Sequence, residues 1–147
     1  MKVGQQLPFF SLFNSNHELV NIHEIQRDSK LVIYFYPKNE SRVCTAESCS
    51  FRDSYSEFLL YNIHVIGINK SSPEELKQFK TNHRLPFVLL SDPDYLVHDL
   101  FGVNHFLGFS GRETFLFDET GKLVYRYNNL LQGQKHVASV LKYIYEQ

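Results

Sequence analysis

Leu31-Val32-Ile33-Tyr34-Phe35-Tyr36 is an unbroken apolar and aromatic run that stops at Pro37. A strand with one wet face alternates apolar and polar residues, whereas a continuous run needs cover on both faces. The chain must therefore set this strand inside a sheet with a layer above it and a layer below. Val65–Ile68, Val88–Leu90 and Thr114–Phe117 repeat the pattern, and helical periodicity fills the gaps between them. From Cys44 to about Leu60 the helical positions are held by Phe51, Tyr55, Phe58 and Leu59. Ser72-Pro73-Glu74-Glu75 is a capping box with proline at the first helical position, which predicts a helix from Pro73 to about Asn82. A shorter helix is expected from Asp94 to Phe101, closed by Gly102, and a last one from about Lys135 to Tyr145. Asp118–Lys122 reads as the hairpin loop between Thr114–Phe117 and Leu123–Tyr127, and the segment up to Ile25 as extended structure.

Strands alternating with helices, then a hairpin and a final helix, make an α/β layer fold. A central mixed sheet flanked by helices is expected, with a thioredoxin-like core as the best match. The 147 residues are read as a single domain, residues 1–147, large enough to bury roughly 70% of the unfolded surface. Fifteen basic against sixteen acidic side chains leave no net field to attract nucleic acid or a membrane surface. The first residues lack the apolar core of a signal peptide, and no run approaches the roughly 18 apolar residues of a membrane span. The expected location is the cytoplasm, where a cysteine pair is more often reactive than structural.

The chain has two cysteines, Cys44 and Cys49, directly after the strand and its proline turn. Three readings compete. Both could be small buried hydrophobes, which suits Cys49 better than Cys44 with its charged, polar approach. A metal site would need two further ligands, and of seven histidines only His17 and His23 have ligand-like spacing. No metal and no cofactor is expected. The third reading is a redox pair, with Cys44 in the first turn of a helix, where free N–H groups and the helix dipole favour a thiolate. Residues five apart on an ideal helix have Cα atoms about 8.6 Å apart, whereas a disulfide needs roughly 4.4–6.8 Å. If the two join, the first turns must unwind.

Phe35-Tyr36-Pro37-Lys38 leading to Cys44-Thr45-Ala46-Glu47-Ser48-Cys49-Ser50-Phe51-Arg52-Asp53 resembles the peroxiredoxins, in particular the PrxQ or bacterioferritin-comigratory-protein subfamily. The likeness continues through Val65-Ile66-Gly67-Ile68, Leu85-Pro86-Phe87, Leu89-Leu90-Ser91-Asp92, Phe101-Gly102-Val103 and Gly111-Arg112-Glu113-Thr114-Phe115. The resemblance implies a thiol-dependent peroxidase for hydrogen peroxide and organic hydroperoxides, recycled by thioredoxin; both cysteines lie in one chain, so a monomer is expected. It casts Cys44 as the peroxidatic and Cys49 as the resolving cysteine. Pro37 and Ser41 match the family motif around Cys44, and Arg112 matches its distant arginine. Pro37 would wall the pocket, and the Ser41 hydroxyl would meet the sulfur and the peroxide. The N–H groups of Val43 and Cys44 would hold the peroxide oxygens, and Glu47 would take a hydrogen-bonding role. Ser41-Arg42-Val43 stands where the subfamily commonly has Thr-Pro-Gly, which keeps the hydroxyl but crowds the entrance. Two other readings use the same cysteines: a peroxide-sensing binding protein switched by the disulfide, and a thiol-disulfide oxidoreductase, which the absence of Cys-x-x-Cys disfavours.

Overall fold

The computed structural model describes residues 1–147. Ser11–Asn14 (β1) and Leu19–Asn21 (β2) form a hairpin, and a short helix, Ile22–Gln26 (α1), follows at once. The Asn21 side chain caps that helix by accepting the N–H of His23. This helix corrects the expectation of extended structure up to Ile25, because five residues carry too little periodicity to register. Lys30–Phe35 (β3) is the buried strand expected over Leu31–Tyr36, followed by Arg42–Asp53 (α2) and Tyr55–Leu60 (α3). The single helix expected over this stretch is two, with Ser54 at the joint (φ −100°, ψ 3°), a residue type that favours helix ends over interiors. Ile63–Asn69 (β4), Pro73–His83 (α4) and Val88–Ser91 (β5) come next, and both halves of the Ser72 capping box are formed.

Leu96–Phe101 (α5) begins two residues later than expected because Tyr95 is left-handed at φ 60°, and Gly102 closes the helix at φ 72°. A small hairpin, His105–Phe106 (β6) with Phe109–Ser110 (β7), stands apart from the main sheet. Glu113–Phe117 (β8), Leu123–Asn128 (β9) and Gln134–Tyr145 (α6) complete the chain.

The main sheet has seven strands in the order β2-β1-β5-β4-β3-β8-β9. The run β5-β4-β3 is parallel, and the flanking pairs, β3 with β8 among them, are antiparallel. This mixed sheet, covered by helices on both faces, is the expected thioredoxin-like architecture. Side chains alternate across β3, so one strand feeds both cores. Val32, Tyr34 and Tyr36 join Phe51, Leu76, Phe79 and Val140 on the side of α2, α4 and α6. Leu31, Ile33 and Phe35 join Ile22, Val97 and Phe101 on the side of α1 and α5. No helix is long and apolar enough to cross a membrane.

Candidate active site

The strand β3 delivers the chain to Pro37, and the turn after it is tied down before α2 begins. Asn69 at the end of β4 donates to Asn39, and Asn82 and His83 of α4 hold the Glu40 carboxylate at 2.8 and 2.5 Å. Ser41 then caps α2: its hydroxyl accepts the Cys44 N–H at 3.3 Å and donates to the Lys38 carbonyl at 3.3 Å. The hydroxyl proton and one of its lone pairs are used in the turn, and it makes no hydrogen bond to the Cys44 sulfur. This corrects the expected geometry in two ways. Ser41 works through the backbone, and the Cys44 N–H is already engaged. Arg42 and Val43 supply the N–H groups that have no carbonyl within the helix to meet.

The first turns of α2 are seated by aromatic packing. Tyr34 stacks on Phe51 with centroids 4.5 Å apart, lies 5.3 Å from Tyr36, and pairs its hydroxyl with Ser48 at 2.8 Å. From the other side, Gly133 just ahead of α6 presses against α2. A Cβ there would come within 2.7 Å of the Val43 carbonyl oxygen and of the Glu47 Cβ. The sequence carried no hint that this glycine lies beneath the site.

Arg112, in the last position before β8, is brought 68 residues back to Cys44 by the antiparallel pairing of β8 with β3. Its guanidinium is used on three sides. Nη2 donates to Cys44 Sγ at 3.1 Å, Nη1 to Glu47 Oε1 at 2.6 Å, and Nε to the Leu130 carbonyl at 2.9 Å. Cys44 is 1% exposed, Arg112 3% and Glu47 not at all. Burial works against the Arg112 charge, but Glu47 and Cys44 more than offset it and hold the guanidinium ionised. For Glu47 burial prevails: it pushes the carboxyl up to about 8, against the pull of Arg112.

A residue that the sequence reading passed over completes the cluster. His136 of α6 is fully buried, with Nδ1 2.8 Å from the Thr114 hydroxyl, Nε2 2.8 Å from the Asn129 carbonyl, and Nδ1 3.5 Å from Glu47 Oε2. Burial holds its pKa down at about 4. The imidazole is therefore neutral at ordinary pH, and its contact with Glu47 is not an ion pair.

Cys49 lies farther along α2, half-buried, free, and without a hydrogen-bond partner. Pro37 lines an open cavity of about 420 Å³ with Lys38, Lys70, Leu107 and Phe109. Val43 is half-buried at the helix start. The structure thus brings Cys44 and Glu47 to the two ends of the Arg112 guanidinium, with Ser41 supporting the turn. Cys49 stands outside that contact. No cluster of three or more histidine, cysteine or acidic side chains is placed to hold a metal ion.

The family model described as AhpC/TSA matches residues 3–126. Peroxiredoxin Q, chloroplastic, of Oryza sativa subsp. japonica is 37% identical over 141 residues, 95% of this chain. The chain spans 64% of the length of that relative. Among solved structures, the peroxidoxin BcpB of Mycobacterium tuberculosis superposes with a TM-score of 0.91 at 27% identity, covering 97% of this chain and 95% of that one. The bacterioferritin comigratory protein of Xanthomonas campestris, described for its alkyl peroxide reduction activity, shares the fold with a TM-score of 0.81 at 24% identity. That superposition covers 96% of this chain and 98% of the other.

Proposed function

The chain belongs to the AhpC/TSA family, and from that membership we propose that it is a two-cysteine peroxidase acting on hydrogen peroxide and organic hydroperoxides. The observation that carries this reading is the N–H of Arg112 aimed at Cys44 Sγ from 3.1 Å, in the first turn of α2. The Arg112 cation and the helix start together favour the thiolate, the form that attacks peroxides. Cys44 sulfur bonds to the terminal peroxide oxygen as the O–O bond breaks, and the departing oxygen is protonated to water or an alcohol. Arg112 and the free N–H groups of Arg42 and Val43 face the charge that develops during this step.

Cys44 is left as a sulfenic acid, which condenses with the Cys49 thiol to a disulfide and releases water. Both cysteines lie within α2, and helical spacing holds their Cα atoms about 8.6 Å apart, beyond disulfide reach. Resolution therefore unwinds the start of α2 and carries the disulfide to the surface, where a dithiol such as thioredoxin reduces it by exchange. Because both thiols come from one chain, a monomer suffices for the cycle.

Peroxide-dependent consumption of NADPH through thioredoxin reductase and thioredoxin, over many turnovers, is the expected result. A single oxidation followed by slow recycling would favour a peroxide sensor instead. Reduction of insulin disulfides would favour an oxidoreductase.

A further inference from the structure

His83, the last residue of α4, touches both ends of the segment that carries the two cysteines. Its Nε2 lies 2.5 Å from Glu40 Oε1, four residues ahead of Cys44, and Asn82 Nδ2 donates to the other Glu40 oxygen at 2.8 Å. A carboxylate only accepts, so His83 Nε2 carries the hydrogen. These bonds, that of His83 foremost, hold the Glu40 carboxyl below its ordinary range. At the other end Arg52, three residues beyond Cys49, donates from Nη1 to the His83 carbonyl at 2.7 Å. That carbonyl is one of the acceptors that a helix leaves free at its end. One residue thus ties Glu40 by its ring and Arg52 by its backbone.

The tie is made to a fixed part of the molecule. The His83 ring stands edge-on to Phe79, with centroids 5.1 Å apart, and Phe79 is buried in the core. Arg84 turns left-handed at φ 52° and closes α4, and Leu85 returns its N–H to the Lys80 carbonyl. Glu40 is itself left-handed at φ 61°, a backbone that a non-glycine residue keeps only with support. The two bonds to α4 are that support.

Fixed ends decide what unwinding can do. A helical residue advances the chain by about 1.5 Å and an extended one by about 3.3 Å. A segment that unwinds between pinned ends gains length it cannot take up along its axis, so it bows outward. Pinning also removes conformations from the unwound state, and it leaves the wound state as it was. Loss of either tie therefore favours the unwound form.

We propose that His83 is a positioning residue for the resolution step: its two ties clamp Glu40 and Arg52, so that unwinding stays between them and the reduced segment is drawn back into α2. In that step the Cys49 S–H and Cys44 S–O bonds break, the S–S bond forms, and the hydroxyl and the proton leave as water. The clamp deepens the peroxidase reading and rests on it for its purpose, but the disulfide on which it acts can be made without peroxide.

Equilibration with glutathione tests the clamp without any turnover. Cys44 and Cys49 give up two electrons and two protons, and one glutathione disulfide becomes two thiols. His83→Ala is expected to shift this equilibrium about two- to fivefold toward the Cys44–Cys49 disulfide, the range for a partly exposed ion pair. Arg52→Met should shift it the same way. His83→Gln, which restores an N–H at a similar reach, should return it to the unmutated value, as it would not if the ring only filled space. An equilibrium unmoved by both His83→Ala and Arg52→Met would overturn the proposal. Hydrogen exchange of the unmutated protein needs no variant to fold. Oxidation should speed exchange between Arg42 and Phe51 and leave Lys38–Glu40 and the residues from Asp53 onward as they were. Fast exchange spreading past either tie would overturn the clamp, as would failure of the pair to form a disulfide with glutathione disulfide. A protein that shows the shift and the exchange limits yet consumes no peroxide would reject the peroxidase reading and keep the clamp.

Discussion

Cys44 is 1% exposed, capped at the start of α2 and held by the Arg112 guanidinium, whereas Cys49, five residues on in the same helix, is half-buried and bonded to nothing. One residue type on one helix is thus given two environments. A nucleophile must wait in a fixed geometry for its substrate, so its surroundings are over-determined. A resolving thiol has to leave its place, and bonds at that site would only oppose the motion. The helix is anchored beyond both cysteines. Glu40 is held by Asn82 and His83 ahead of α2, and Arg52 near its end donates to the His83 carbonyl at 2.7 Å. In the proposed cycle, unwinding would fall in the turns between these ties.

Exchanging the two cysteines for serine in turn probes this contrast most strongly. Cys44→Ser is expected to abolish peroxide consumption down to the uncatalysed background, measured by peroxide loss. Cys49→Ser should still consume about one equivalent and then stall in the thioredoxin-coupled assay, or over-oxidise at Cys44. Unchanged steady-state turnover in that variant would break the division of labour. Arg112→Met removes the donor that distinguishes the two sites. It should slow oxidation of Cys44 by about 10²–10³-fold, in the range for loss of one preorganised donor, as read by stopped-flow.

Glu47 gives the contrast a pH dependence. Its folded pKa is raised from 4.5 to about 8, so the native state holds a proton that the unfolded chain has lost across that window. The contribution is fully present below about 4.5 and is lost as pH rises through about 8. His136 works oppositely: lowered from 6.5 to about 4, it contributes above about 6.5 and is lost as pH falls through about 4. Thermal melts of Glu47→Gln should therefore lack the part of the alkaline decline that the reduced unmutated protein shows. The smallest effect is expected from Gly133→Ala, which pushes α6 off the Val43–Glu47 turn at a cost of about 1–3 kcal/mol, the usual range for overpacking.

How much of this was legible follows the range over which each signal acts. The apolar run at Leu31–Tyr36 and the capping box at Ser72 are local patterns, and both elements formed as read. Cys44, Ser41 and Pro37 lie close together in the chain, and Arg112 joined them only through the resemblance, since 68 residues separate it from Cys44. The break at Ser54 was hidden because the apolar spacing of Phe51, Tyr55 and Phe58 runs straight through it. His136 was illegible for a different reason. A lone histidine on an amphipathic helix has no local mark of function, and its partners arrive from β8, α2 and the Asn129 turn. A comparable buried pair, His98 with Asp92 at 2.6 Å, shows how little the residue types alone decide. Burial would raise Asp92, but the His98 ring and the N–H groups of His98 and Val97 outweigh it and leave the carboxyl lowered. Glu47 receives no backbone N–H and moves the other way.

The most direct measurement is intact-mass spectrometry after one equivalent of hydrogen peroxide, with peptide mapping under non-reducing conditions. Loss of two hydrogens, with Cys44 joined to Cys49, is the result expected of a fixed nucleophile and a mobile resolving thiol on one helix. A stable sulfenic or sulfinic acid on Cys44 beside an untouched Cys49 would contradict it.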